Sequence, residues 1–210
     1  GAGKPPCFNL LPKFLKPTAG TIRYKGQDIT DLPPTDVARR GMVRSFQISA
    51  VFPGMTALEN VLTAIKRHTT HPILAALAYA PSRQGLDEAM ELLDLMGLTA
   101  RANQSAGELP YGDARRLEIA RALATEPKLL LLDEPAAGMT VEEREKTTDI
   151  LKRAAKTRAV VVVEHDMEFV RRLDCKVTVL HEGSVLAEGS LDHVTSNPKV
   201  IEVYLGRGHA

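Results

Sequence analysis

The sequence has few cysteines, no long apolar run and no excess of either charge. Only Cys7 and Cys175 occur, far apart and outside any CxxC or other metal spacing. That excludes a disulfide-stapled scaffold and reads as two reduced thiols in a cytosolic protein. No apolar stretch approaches the roughly 20 residues that a bilayer-crossing helix needs. The chain does not open on a charged stretch followed by an apolar one, so no signal peptide is read. If such a protein works at a membrane, it does so through a partner. Lys plus Arg is 27 and Asp plus Glu is 26, a net charge of +1. That balance argues against a general nucleic-acid binder, which needs a basic excess to meet phosphates. Internal repeats and low-complexity segments are missing too.

What is present is the make-up of a globular protein: 210 residues, 44% hydrophobic and 25% charged, enough for one domain or one domain with an inserted lobe. Residues 8–15 carry apolar positions at helical spacing, with Pro12 expected to kink or end the helix. Residues 16–20 read as a turn, 21–24 as a short strand closed by Lys25-Gly26, 35–40 as a short helix, and 42–46 as a strand ending at Gln47. From about 55 to 124 the period is helical. Thr56 caps a helix through Lys66, with Glu59 as its capping-box partner. A looser stretch rich in His, Ala and Pro covers 68–83. An amphipathic helix over 85–96 sets Leu86, Met90, Leu93 and Met96 on one side. Another helix, over 113–124, is preceded by Leu109-Pro110-Tyr111-Gly112.

Beyond that point the period changes. Residues 129–132 are a continuous leucine run ending in Asp133-Glu134, which reads as a buried, parallel strand. A helix is expected over 141–155, then a second buried strand over 159–163 ending in Glu164-His165-Asp166. Two strands flank Glu182-Gly183 as a hairpin, and helical pieces close the chain. Strands alternating with helices imply a parallel α/β sheet, interrupted by an all-helical insert.

Two buried strands that end in charge mark a site, because ligands of open α/β sheets bind outside the carboxyl ends of the strands. Asp133-Glu134 and Glu164-His165 stand there. At the head of the chain, Gly1-Ala2-Gly3-Lys4 running into a helical pattern resembles the end of a phosphate loop. In such a loop glycines turn successive N–H groups into one concavity, the helix N-terminus adds positive potential, and the lysine reaches the terminal phosphates. Coupled to an acid-ended apolar strand more than a hundred residues on, this is a nucleotide signal. Asp133 would hold Mg²⁺ through water and Glu134 would polarise the attacking water. Taken singly, each residue reads as structure: Lys4 as a solvated lysine, Gln47 as a strand-end side chain, His165 as a satisfied histidine, Pro110-Tyr111-Gly112 as a turn. Only their order overturns that.

That order resembles the ABC ATPase family over nearly the whole chain. Leu129-Leu-Leu-Leu-Asp-Glu-Pro135 looks like its Walker B strand. Ser45-Phe46-Gln47 is similar to its Q-loop, and Val161-Val-Val-Glu-His165-Asp166 to its switch histidine segment. Leu109-Pro-Tyr-Gly-Asp113, running into Arg115-Arg-Leu-Glu-Ile-Ala-Arg-Ala-Leu-Ala124, resembles its signature motif and helix. The resemblance implies a P-loop NTPase (RecA-like) α/β core with parallel sheet over 1–50 and 126–210, an inserted helical subdomain over 51–125, and N-terminal strands absent from this chain. ATP and Mg²⁺ are the implied cofactors. It implies that Gly1, Ala2, Gly3, Lys4, Pro5 and Pro6 line the phosphates, that Gln47 senses Mg²⁺ and the attacking water, and that Asp133 serves Mg²⁺. Glu134 would be the general base and His165 would hold the γ-phosphate and the base in register. Pro110, Tyr111, Gly112 and Asp113 would close over the γ-phosphate bound by a second ATP-binding subunit, identical or paralogous. Pro135-Ala-Ala-Gly-Met139 and the closing segments 188–192 and 200–206 look like importers of branched-chain or hydrophobic amino acids, with urea importers similar at the C-terminal end. The implied partners are membrane-spanning permease subunits, with no nucleic acid, and the implied location is the cytoplasmic face of the inner membrane.

The pattern departs from the family at Pro5 and Pro6, which stand where the family has two hydroxyl residues. Proline carries no N–H, so two phosphate donors and the Mg²⁺-coordinating hydroxyl are lost. Weak nucleotide binding and slow or no hydrolysis are therefore expected of this chain. Pro110 and Ala114 also differ from the commoner signature. Two alternatives stay open: a degenerate, non-hydrolysing cassette, and a soluble ABC ATPase with no transport role.

Overall fold

A computed structural model describes residues 9–44, 51–65 and 82–205. The chain divides into two compact units, one of residues 1–37 with 163–210 and the other of 38–162. Gly1 to Pro6 and Gln47 lie outside the described residues, as do Phe8, residues 45–46 of the expected strand and Lys66 at the end of the expected helix.

In the first unit the helix expected over 8–15 is helical, among its described residues, only at 9–10. Pro12 stops it, and Lys13 takes a positive φ of 69°. Strands β1 (Arg23–Tyr24) and β2 (Gln27–Asp28) form an antiparallel hairpin. Lys25 and Gly26, at φ 51° and 77°, supply the two left-handed residues that a two-residue turn needs. Thr30 ties the hairpin down: its hydroxyl accepts from the Ile22 N–H at 2.8 Å, and its carbonyl accepts from the Lys13 ammonium. Helix α1 (Pro34–Arg39) leads out of this unit, with Val37 buried.

The second unit holds strand β3 (Met42–Arg44), helices α2 (Ala57–Ile65), α3 (Arg83–Leu95) and α4 (Tyr111–Leu123), strand β4 (Leu129–Asp133), helix α5 (Val141–Ala155) and strand β5 (Ala159–Val163), whose last residue opens the return to the first unit. β4 lies between β3 and β5. β3 and β4 run parallel, with Met42 opposite Leu129 and Arg44 opposite Leu131. Leu130, Leu131 and Leu132 are fully buried, each contributing about 1.5–3 kcal/mol relative to exposure. β5 is not the buried strand expected: Val161 is 40% exposed. β4 is sandwiched on both edges, whereas β5 has one strand neighbour among the described residues.

Between β3 and β4 the chain is helical. Thr56 and Glu59 form the expected capping box on α2, and the Thr56 N–H and hydroxyl hold the Glu59 carboxyl below the usual carboxylate range. α2 packs against α3 and α4. On α3 the buried stripe is Gly85, Ala89 and Leu93, continued by Met96, while Leu86 and Met90 flank it half-buried. α4 begins two residues earlier than expected, so Tyr111 and Gly112 are its first turn and Pro110 its N-cap. It is buried on nearly every face, charged residues included. α5 has its own capping box at Thr140 and Glu143.

The chain returns to the first unit through helix α6 (Met167–Leu173), capped by Asp166, then strands β6 (Val177–His181) and β7 (Ser184–Gly189), helices α7 (Leu191–Thr195) and α8 (Pro198–Val200), and a single π turn at Ile201–Leu205. β6 and β7 form the expected antiparallel hairpin around Glu182 and Gly183, at φ 49° and 79°. Its inner face packs Ala187, Val177 and Val179 with Leu191, Val194 and Val200.

Asn60, fully buried on α2, holds the loop that precedes the helix. Its carbonyl oxygen accepts from the Phe52 N–H at 2.8 Å, and its amide donates to the Phe52 and Thr56 carbonyls at 3.0 Å each. Asn60→Ala is expected to cost about 1–3 kcal/mol, because it strands buried backbone groups. Urea denaturation measures it, and an unchanged midpoint would show that the loop holds itself.

Candidate functional site

The site in the second unit forms where β4 ends. Parallel register brings Arg44, the last residue of β3, beside the end of β4. Its Nη2 donates to Asp133 Oδ2 at 2.9 Å. Both side chains are less than a tenth exposed, so the pair is shielded from water and each charge needs the other. Oδ1 of Asp133 takes no hydrogen bond from the described residues. The next residue, Glu134, is half-buried and left-handed at φ 46°, a conformation that a non-glycine residue holds only when its surroundings impose it. The Glu134 carbonyl accepts from the Ala137 N–H at 3.2 Å, which starts the loop over 134–140.

Helix α4 closes on this loop. The Tyr111 ring lies against Gly138, where a Cβ would meet it at 2.9 Å. Gly112 faces Glu143 of α5, and any side chain at 112 would occupy the space of that carboxylate. Glu143 is not free to swing away, since its Oε2 accepts from the Thr140 N–H at 2.8 Å and from the Thr140 hydroxyl at 3.0 Å. A carboxylate therefore stands at the first turn of α4, where a helix end favours negative charge. Pro110 and Tyr111 are exposed. Asp113, in contrast, is buried and ion-paired, to Arg101 at 2.7 Å and to Arg116 one turn on.

One turn further along α4, Arg115 reaches the same strand end. Its Nη2 donates to the Asp133 carbonyl at 3.1 Å and to the Glu134 carbonyl at 3.4 Å, while Nη1 is bound by Glu118. Sequence reasoning did not single out Arg44, Arg115, Glu118 or Glu143 as site residues. For Arg115 and Glu118 the signal was the density of charge along α4, and for Glu143 it was the capping-box spacing from Thr140.

In the first unit His165 follows β5 with its side chain 67% exposed, while the side chain of Glu164 is buried. The Glu164 carboxylate accepts from the His165 N–H at 3.2 Å, and the Asp166 side chain caps α6 by accepting from Glu168 and Phe169. His165 is thus presented to solvent from a fixed turn. Of the residues expected to form the site, Asp133 and Glu134 stand together at the end of β4, while Tyr111 and Gly112 pack on Gly138 and Glu143 and Asp113 pairs with Arg101 and Arg116. Among the described residues no group of three or more His, Cys, Asp or Glu side chains could hold a metal ion by itself.

Comparison with known proteins agrees with this geometry. A family model described as ABC transporter matches residues 1–137, and one described as branched-chain amino acid ATP-binding cassette transporter matches residues 184–210. The chain is 43% identical to the high-affinity branched-chain amino acid transport ATP-binding protein BraF of Pseudomonas aeruginosa, over 98% of this chain and 84% of that protein. It is 39% identical, with the same coverage, to the corresponding LivG protein of Escherichia coli K12. The ADP conformation of MJ1267, an ATP-binding cassette of an ABC transporter, superposes with a TM-score of 0.82 at 30% identity, covering 98% of this chain and 84% of that one. A dimeric cassette, MJ0796 bound to ADP and Pi, superposes with a TM-score of 0.75 at 28% identity, covering 90% and 81%.

Gly112→Ala is expected to push Glu143 out of its capping box and to cost about 0.5–2 kcal/mol, the value of a lost helix cap. Because the clash and the cap involve the same carboxylate, the double variant Gly112→Ala with Glu143→Ala should cost no more than Glu143→Ala alone. Thermal denaturation of the four chains checks this, and simple additivity would show that Gly112 and Glu143 act independently.

Proposed function

The chain belongs to the ABC transporter ATP-binding family, and we propose that it is the ATP-binding subunit of an importer for branched-chain amino acids or a similar small solute. Its family binds nucleotide and couples ATP hydrolysis to transport. The observation that carries the reading is the end of β4, where a buried carboxylate and a left-handed glutamate leave the sheet side by side. The substrate class rests on the C-terminal match and on the names of BraF and LivG. The subunit itself need not touch the solute.

In this reading Gly1, Ala2, Gly3, Lys4, Pro5 and Pro6 line the phosphates, Gln47 senses the attacking water, Glu134 takes its proton, and His165 holds the γ-phosphate in register. Pro110, Tyr111 and Gly112 face the γ-phosphate of a second ATP-binding subunit, consistent with the dimeric MJ0796 cassette. The ion pairs of Asp113 fix that turn from behind. Mg²⁺ fits Asp133 in one way. The Arg44 bond leaves Oδ1 for a metal-bound water, and an ion that takes one carboxylate plus substrate phosphates needs no cluster of protein ligands. When bound, Mg²⁺ would neutralise charge on the β- and γ-phosphates. No described helix is long and apolar enough to cross a membrane. We place the subunit on the cytoplasmic face of the inner membrane, held there by permease subunits docked on the helical stretch within 51–125.

Pro5 and Pro6 favour a second reading, a degenerate cassette that binds nucleotide weakly and does not hydrolyse it. Two charge-assisted hydrogen bonds at about 1.5–3 kcal/mol each correspond to orders of magnitude in affinity. Mg·ATP titration and turnover of the chain and of its P5T/P6T variant decide between the two. The importer reading expects turnover in both, and faster in P5T/P6T. Turnover confined to P5T/P6T supports the second reading.

Glu134→Gln is expected to lower turnover by about 100-fold or more while leaving nucleotide binding in place. In cells that depend on this importer it should also abolish leucine uptake. Normal turnover in that variant would remove Glu134 from the reaction, and leucine uptake indifferent to deletion of the chain would remove the substrate assignment.

A further inference from the structure

We propose that Arg115 is a positioning residue for the candidate base: from the buried helix α4 it fixes the backbone at Asp133-Glu134 and thereby sets the direction in which the Glu134 carboxylate leaves the sheet. The proposal rests on the reading of Glu134 given above and assigns a role to a residue outside the nucleotide contacts.

Four observations converge. First, one nitrogen of Arg115, Nη2, donates to two successive carbonyls, those of Asp133 and Glu134, at 3.1 and 3.4 Å. Successive carbonyls point to opposite sides of an extended strand, so a single donor can serve both only where the chain has turned. Second, the chain has turned there: Glu134 sits at φ 46°. Pro135 disfavours the right-handed helical region for Glu134 but steers it towards extended backbone, so the left-handed turn needs a further contact, and Arg115 supplies one. The uncommon conformation is thus held at the Glu134 carbonyl, by Arg115 and by the Ala137 N–H. Third, the guanidinium is itself fixed. Its side chain is 10% exposed, and Glu118, 4% exposed and one turn along α4, binds Nη1. A guanidinium is a planar fork, so seating Nη1 on a buried carboxylate aims Nη2. Fourth, the Arg44–Asp133 pair holds the side chain of Asp133, so the residue just before Glu134 is anchored by its side chain as well as by its carbonyl.

The arrangement has a mechanical consequence. Gly112 and Tyr111, in the first turn of α4, pack on α5 and on the loop after β4, and Arg115 continues that contact to the strand end. A shift of α4 along its axis therefore moves the backbone of Glu134. Displacing a reacting group by about 1 Å can cost on the order of 100-fold in rate. If the first turn of α4 faces nucleotide held by a second subunit, Arg115 carries the effect of that nucleotide to this chain's own base.

The test uses the full chain and three variants, Arg115→Gln, Arg115→Lys and Glu118→Gln, in both the unaltered and the P5T/P6T backgrounds. The first readout is amide hydrogen exchange over residues 134–139. Exchange is expected to quicken about tenfold or more in Arg115→Gln and less in Glu118→Gln, with β3 unchanged. The second is steady-state turnover: Arg115→Gln should lower kcat roughly 10- to 100-fold with KM for Mg·ATP within twofold. Arg115→Lys should recover part of the loss, because an ammonium can donate to one carbonyl but cannot also keep the Glu118 fork. Unchanged exchange at 134–139 overturns the proposal whether or not the chain hydrolyses ATP. So does a fall in thermal stability with kcat intact, or an Arg115→Lys chain as poor as Arg115→Gln. Absence of turnover in both backgrounds counts against the hydrolytic reading of Glu134, while the exchange measurement still decides whether Arg115 holds the turn. Glu118→Gln keeps the test decisive if Arg115→Gln fails to fold.

Discussion

A leucine strand that must be buried along its length ends in two acidic residues, and the rest of the second unit is organised around making that end tolerable. A carboxylate taken out of water needs a partner charge or it destabilises the fold by several kcal/mol. Arg44 supplies that charge to Asp133 from the neighbouring strand. Arg115 supplies hydrogen bonds to the carbonyls of the same turn from the helix above. Neither guanidinium is at a surface where it would contribute little.

The same demand explains helix α4. A helix buried on nearly every face would ordinarily be apolar all round. This one carries Asp113, Arg115, Arg116 and Glu118 inside, and each is paired with a neighbour one turn away or with another element. The pairs make the helix a rigid strut between the helical layer and the strand end. Replacing them with apolar residues could leave stability unchanged, but it would lose the directional contacts that place the loop after β4. The Gly112–Glu143 and Tyr111–Gly138 contacts add steric fit to those charges. The first turn of α4 is therefore shaped by this chain's own α5 before any nucleotide arrives.

The two compact units divide the candidate chemistry. Asp133 and Glu134 belong to one, and the exposed His165 to the other. Each unit fixes its residues locally: the first through the buried Glu164 and the Asp166 cap, the second through the guanidinium contacts.

Much of this was legible in the residues alone. The leucine run with Asp133-Glu134, the helix over 141–155, the Thr56–Glu59 box and the Glu182-Gly183 hairpin depend on neighbours in sequence, where spacing and turn chemistry act directly. Family membership was legible for the same reason, since its motifs are short and ordered. Other features were not. Val161 reads as core, yet it lies exposed, because burial of a strand depends on what stands beside it. Asp113 reads as part of a phosphate-facing turn, yet its carboxylate is taken by Arg101 and Arg116. The partnership of Arg44 with Asp133 spans 89 residues, and no local pattern announces which buried arginine will meet which carboxylate. Spacing and turn chemistry were enough for most of the elements, the hairpin turns and the family. Which charges are held by which partners came from packing, because a buried ion pair is chosen by the register of strands and the docking of helices, neither of which a periodicity encodes.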